Sequence, residues 1–243
     1  MKKVFLSLLT LSIFSATTFI SCKKDKKEEE PYKCTTCVKT PEAKAAHDAS
    51  SKGIYKGVFI GSSGTIKFDI GNDANTITAV LVIDGKTINL TSTVTWNGGQ
   101  AYIAPFTGTF NGQPATVNFS VQANGSSPTV TSANIPGHPN AVFTVVKETS
   151  NSLIEAFEGT YSSNKPESGT FNILVSRSLN VWGGVSRENG AQSSENINGT
   201  MDASGKIKDR SGRDIGTLSG DKISGSFQNS SNHTVTISGK RTL

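Results

Sequence analysis

The feature that most constrains this chain is an alternation of apolar and polar residues that runs through most of its length. Ile66, Phe68 and Ile70 fall on one face of an extended segment. So do Ile88, Leu90, Val94 and Trp96, then Tyr102, Ala104, Phe106 and Phe110, then Val117, Phe119 and Val121. A period of two is the signature of strands that bury one face. Between these segments stand Asp84-Gly85, Asn97-Gly98, Asn111-Gly112 and Asn124-Gly125. Such pairs tolerate positive φ at both positions and predict type I′ hairpins. Hairpin following hairpin gives an antiparallel meander, so the expected fold class is all-β, without βαβ units.

The pattern restarts midway. Ser63-Gly64-Thr65-Ile66-Lys67-Phe68 matches Ser168-Gly169-Thr170-Phe171-Asn172-Ile173, and Tyr55 precedes the first as Tyr161 precedes the second. Gly108-Thr109-Phe110-Asn111-Gly112 matches Gly216-Thr217-Leu218-Ser219-Gly220. Each half ends on an alternating strand, 141–147 and 233–240. This predicts two tandem, related halves, 53–149 and 150–243. Each is a small barrel or sandwich, or both contribute strands to one larger barrel; two halves packed together is the favoured arrangement. Closure would remove exposed strand edges. Residues 190–220 hold few large apolar side chains, which predicts a thin core there. Two short helices are expected as well. One starts at Thr40-Pro41-Glu42, with Thr as cap and Pro in the first turn, and runs to about Ala49. The other spans Ser152–Phe157, where a linker would lie.

The N-terminal end has a different character. Met1-Lys2-Lys3 opens the chain, an apolar stretch runs from Val4 to Ile20, and Ser21-Cys22 precedes the charged run Lys23–Glu30. That order marks residues 1–21 as a secretory signal, too short and too polar for a preferred spanning helix. Phe19-Ile20-Ser21-Cys22 resembles the lipobox of bacterial lipoproteins in the looser form common in the Bacteroidota type. The resemblance covers only the first two dozen residues. It implies cleavage before Cys22, acylation of that residue, and attachment to the outer membrane, at the cell surface or on the periplasmic face. Multiple acyl chains on one residue suffice for stable anchoring. Glu28-Glu29-Glu30 looks like the acidic export signal of such lipoproteins, or is a plain solvated spacer. Residues 22–52 then form the lipidated Cys, a charged tether expected to be disordered over 23–33, and the short helix.

Charge and cysteine usage follow the same division. The chain holds 24 Lys and Arg against 19 Asp and Glu, but residues 53–243 hold 14 against 13. The basic excess therefore sits in the leader and tether. No basic stripe with interleaved aromatics is present, so nucleic acid is not an expected partner. With Cys22 acylated, Cys34 and Cys37 remain as a pair, and outside the cytoplasm such pairs are oxidised. A local disulfide is the favoured reading. A thioredoxin-like motif would need a βαβ setting, and covalent haem would need His where Val38 stands. A zinc site would need two more ligands, with only His47 near.

Chemistry leaves few marks. The histidines are His47, His138 and His233, with no His-x-x-x-His or His-Glu-x-x-His spacing, and no Gly-x-Ser-x-Gly elbow occurs. No catalytic residue, metal or cofactor is predicted. The most specific loop is Ser132–Asn140, in which Asn134, Pro136, His138, Pro139 and Asn140 form a candidate binding surface stiffened by two prolines. Trp96, Tyr102 and Trp182 could line a site or fill a core. The expected function is a non-catalytic binding or structural module on a lipid anchor, with a glycan, a peptide or an envelope protein as partner. The alternatives are a barrel carrier of a small apolar ligand and an extracytoplasmic hydrolase. The barrel interior discriminates. Phe68, Phe110, Phe119 and Phe171 either pack together or line a cavity of roughly 300 Å³ or more.

Overall fold

The computed structural model describes residues 32–61, 64–73 and 76–243. Cys22, the signal segment 1–21 and the charged run 23–30 lie outside the described residues. Within 32–243 the chain is all-β, and its sixteen strands form two antiparallel sheets of eight.

The first sheet contains β1 (Gly53–Ile60), β2 (Gly64–Ile70), β3 (Ile77–Ile83), β4 (Lys86–Thr91), β5 (Tyr102–Phe110), β6 (Gln113–Val121), β7 (Thr129–Asn134) and β8 (Val142–Lys147). Each strand pairs with the next up to β7, and β8 returns to pair with β1. The sheet is a nearly closed barrel. β4 and β5 meet only at Thr91 and Thr107, and β7 lies beside β8 without ladder pairing.

The second sheet contains β9 (Glu155–Ser163), β10 (Ser168–Ser176), β11 (Val181–Glu188), β12 (Glu195–Met201), β13 (Lys206–Asp209), β14 (Asp214–Ser219), β15 (Lys222–Gln228) and β16 (Thr234–Arg241). It closes fully, with β16 on β9.

Turn chemistry accounts for much of this order. Asp84-Gly85 and Asn111-Gly112 have positive φ at both residues, as type I′ hairpins require. Asn97-Gly98 and Asn124-Gly125 do not form such turns; at these places only Gly99 and Gly125 take positive φ. Asn124 accepts from the Ser126 backbone N–H and hydroxyl instead, an Asx turn. The expected strand through Val94 and Trp96 also fails. The chain leaves the sheet after Thr91, and Trp96 folds back so that its Nε1 donates to Ser51 Oγ at 2.8 Å.

Neither expected helix forms. From Thr40 to Ala49 the only helical piece is a 3₁₀ turn, Ala45–His47. Two turns of isolated helix are marginal, and Glu42 is claimed by tertiary partners. Its N–H donates to Glu148 Oε1 at 2.6 Å, and its carboxylate meets Lys67 at 2.7 Å and Lys56 at 3.2 Å. Burial pushes the Glu42 carboxyl up, but the hydrogen bond from Lys67 and the charge of Lys56 outweigh it and hold the group below its usual value. Segment 152–157 leads directly into β9. Ala156 faces the other half while Phe157 enters its own barrel, an alternation a helix cannot provide.

The two halves share a register at their first hairpin. Tyr55 pairs with Phe68, Gly57 with Ile66 and Phe59 with Gly64; Phe157 pairs with Ile173, Gly159 with Phe171 and Tyr161 with Gly169. Tyr161 thus occupies the place of Phe59, not that of Tyr55. In both hairpins the glycine lies under a ring. A Cβ on Gly64 would come within 2.4 Å of Phe59, and one on Gly169 within 2.6 Å of Tyr161. The Gly108 and Gly216 landmarks fall out of step, on the fifth strand of one sheet and the sixth of the other.

The halves meet across β1 and β10. Every residue of β1 is buried. Its odd positions enter the first core, while Val58 packs with Ile154, Ala156 and Leu174 of the second half. Asn172 Nδ2 donates to Phe59 O at 2.5 Å. Beside this contact lies a buried ion pair, Lys56 Nζ to Glu148 Oε2 at 2.6 Å; Glu148 also accepts from Ile154 N–H at 3.0 Å. One carboxylate therefore joins β1, segment 42 and the start of the second half.

Segment 32–52 straps both barrels. Tyr32 OH donates to Arg241 O at 2.8 Å, and Cys34 N–H to Asp221 Oδ2 at 2.8 Å. Arg241 in turn meets Glu155 at 2.8 Å and donates to Val38 O. Further on, Lys44 N–H donates to Asn72 Oδ1 at 3.0 Å in the first sheet. The expected disorder does not extend to Tyr32 and Lys33, because these buried acceptors draw the strand end and the strap together.

Candidate functional site

The interior of the second barrel holds a well of about 930 Å³. Six strands each contribute one isoleucine to its wall: Ile173 from β10, Ile197 from β12, Ile207 from β13, Ile215 from β14, Ile223 from β15 and Ile237 from β16. Phe171, Trp182, Phe227 and Tyr161 complete the lining. Trp182 has no spare donor, because its Nε1 already donates to Lys208 O at 2.9 Å. The floor is made by Phe157, Val175, Met201 and Leu218, all buried at the far ends of their strands. Ile197, Ile215 and Ile237 are only partly buried, and they pack against the buried cluster while lining the well. Apolar side chains around unfilled space are the arrangement of a binding pocket for an apolar molecule.

The mouth is the end carrying the turns 164–167, 189–194, 210–213 and 229–233. Its lip is polar. On one arc, Glu167 and Glu195 reach the well beside Tyr161. Burial raises the Tyr161 phenol above its ordinary value, and the charges of Glu188, Glu195 and Glu167 add to that shift, so it stays neutral and able to donate. On the other arc, Arg213 closes on Asp209 with Nε at 3.0 Å and Nη2 at 2.6 Å, and lies over the Phe227 ring at 5.4 Å. Asp209 also accepts from Ser211. Burial pushes the Asp209 carboxyl up, but the bonds from Ser211 and Arg213 prevail and hold it low.

The first barrel is solid where the second is hollow. Phe68 stacks on Phe119 at 4.4 Å and meets Phe106 edge-on at 4.9 Å, while Tyr55 meets Phe119 edge-on at 5.2 Å. All four are buried. Of the four phenylalanines named from sequence, Phe68 and Phe119 thus pack together, Phe110 lies against His138 at 5.4 Å, and Phe171 lines the well.

The remaining sequence candidates lie elsewhere. Cys34 and Cys37 are joined in a disulfide on the strap, with Cα atoms 5.5 Å apart. In the loop Asn134–Asn140, Ile135 enters the first core, and His138 lies 3.8 Å from Asp84. Pro136 and Pro139 flank the turn at Gly137, and Asn140 reaches the second half, its carbonyl accepting from Arg187 at 2.9 Å and its side chain meeting Gln192 at 3.3 Å. The loop is a brace between halves. The three histidines are not brought together: His47 ends the 3₁₀ turn, and His233 sits 3.5 Å from Glu167 near the mouth. Among the described residues no group of three or more His, Cys, Asp or Glu is placed to hold a metal. Of Trp96, Tyr102 and Trp182, only Trp182 reaches the well. Sequence reading missed the isoleucines, whose signal is weak: β12, β13 and β15 each hold a single isoleucine among polar and small residues.

Compared with protein-family models, curated proteins and solved structures, the chain matches none.

Proposed function

We propose that this chain is a lipid-anchored cell-envelope protein whose second barrel holds a small apolar ligand without catalysing a reaction on it. The observation that carries the reading is the 930 Å³ well, within the range of small-molecule sites and walled by six isoleucines. Up-and-down eight-stranded barrels with such interiors suit carriers. The filled first barrel is then a structural partner that covers β10 and fixes the second barrel on the strap. The shared register of the first hairpins supports a common origin of the two halves.

Binding is tested with N-phenyl-1-naphthylamine, a neutral dye that brightens in apolar surroundings. The wild-type chain is expected to brighten it. Filling the well with Ile197→Phe and Ile215→Phe together is expected to weaken the dye at least tenfold while denaturant unfolding stays cooperative. No brightening by the wild type, or equal binding by the folded double variant, overturns the reading.

The anchor rests on the lipobox resemblance around Cys22, and places the protein at the outer membrane. Cys22→Ala is expected to move it from the membrane to the soluble fraction. Unchanged fractionation overturns the anchor. Protease added to intact cells distinguishes the surface from the periplasmic face.

A further inference from the structure

A molecule that fills the well keeps its polar end at the mouth. The wall is aliphatic, and Trp182, near the floor end of β11, has already used its only polar hydrogen on Lys208 O. From Glu167 at the lip to Ile173 is six residues; at about 3.3 Å each, on strands tilted about 40° from the barrel axis, that gives a depth of about 15 Å. The well therefore admits an extended alkyl tail along its depth and leaves the head among the lip residues.

The lip is not neutral in what it offers. The guanidinium of Arg213 is occupied by Asp209, Gln228 O and the Phe227 ring. Arg210 Nε donates to Asn198 Oδ1 at 3.2 Å and has no ion pair among the described residues, so the residues lining the well carry three carboxylates (Glu167, Glu195, Asp209) against two guanidiniums (Arg210, Arg213). On β12, the strand that also carries Asn198, Glu195 lines the well and its side chain has no hydrogen bond or ion pair among the described residues. Glu167 lines it as well, with His233 at 3.5 Å as its neighbour. Tyr161 lines the same lip, with its ring against Gly169. Spare carboxylate oxygens next to an electron-rich ring attract a cation and repel an anion.

We propose that the well takes a single-chain amphiphile with a cationic head, its tail among the isoleucines and its ammonium group between Glu167, Glu195 and the Tyr161 ring. This rests on the reading of the well as an apolar-ligand site. No bond is made or broken in the binding.

The test uses the full chain with Cys22→Ser, so that acylation and its detergent are avoided. Trp182 fluorescence reports occupancy, and Trp96 in the other barrel gives a constant background. Three probes share a ten-carbon tail: decyltrimethylammonium, decyl maltoside and decyl sulfate, each below its micelle-forming concentration. The cationic probe is expected to bind about tenfold more tightly than the sulfate at low salt, with the maltoside between them. The preference is expected to shrink at high salt. Glu167→Gln with Glu195→Gln is expected to bring the affinities for the cationic and sulfate probes to within about twofold of each other. Equal binding of all three to the wild type, or preference for sulfate, overturns the head-group proposal and leaves the apolar well standing. Binding of none overturns both.

Discussion

The two barrels have the same number of strands and the same meander, and they differ in what points inward. In the first, Tyr55, Phe68, Phe106 and Phe119 fill the interior ring against ring. In the second, isoleucines occupy the wall and the upper half stays open. Eight strands set a diameter at which side chains just fill the interior or leave room for one small ligand. Residue size at a few inward positions decides between these outcomes. Solidity also follows the load each barrel bears. The first holds the buried Lys56–Glu148 pair and supplies the brace loop, which reaches the second barrel at Arg187 and Gln192.

The largest expected effect breaks the comparison at its centre. Phe68→Ala should cost about 3–5 kcal/mol in denaturant unfolding, because it removes a ring with neighbours on several sides. Ile237→Ala, lining the well, should cost less, about 2 kcal/mol, since Ile237 is only partly buried. Similar losses at both positions would mean that the second barrel is as filled as the first.

Next comes the joint. Glu148→Ala should destabilise by about 3 kcal/mol, because it leaves Lys56 buried with only the longer pair to Glu42 at 3.2 Å. Lys56→Met with Glu148→Leu should recover much of that loss, since no charge then remains buried. A single variant as costly as Glu148→Ala at an exposed pair such as Lys206–Asp214 would show that burial is not the cause.

A smaller effect distinguishes the turn chemistry of the hollow barrel. Asp202 and Asp209 each accept from the backbone two and four residues on and from the intervening serine. Asp202→Ala should cost about 1 kcal/mol, as loss of a comparable cap does. Thermal unfolding of the variant measures it.

The smallest effect is a pH slope in the solid barrel. Lys147 donates to Ser50 O, to Lys52 O at 2.7 Å and to Tyr55 OH at 3.3 Å. Burial lowers its pKa to about 8, against a weaker opposing pull from Asp48. Between about 8 and the ordinary value of 10.5 the unfolded chain holds more protons at this residue than the folded one. Its contribution to stability therefore rises with pH through that window. The stability difference between wild type and Lys147→Met should rise accordingly from pH 8 to 10. A flat difference would place the amine in open solvent.

Much of the fold was legible. The period of two in β2, β5 and β6 put Ile66, Phe68, Tyr102, Phe106, Val117 and Phe119 inside. Asp84-Gly85 and Asn111-Gly112 made their hairpins because both residues were free to take positive φ. The failures have a common physical cause. Glu42 left its helix for Lys56 and Lys67, and Trp96 left its strand for Ser51, because distant partners outweighed weak local preference. The thin stretch 190–220 was visible, but the well was not. A sparse run of aliphatic residues reads the same whether its strands pack on each other or enclose a space.

The sequence by itself determined the class of structure: antiparallel strands in a meander, in two halves. Periodicity and turn residues act locally, so they can be read locally. Only the tertiary structure decided that one barrel is filled and the other hollow, that Arg241 and Asp221 hold the strap, and that Glu167, Glu195 and Tyr161 share a lip. Those facts depend on which side chains from distant strands arrive at the same level of a closed sheet. That is set by register and closure around the whole barrel, and no single segment carries it.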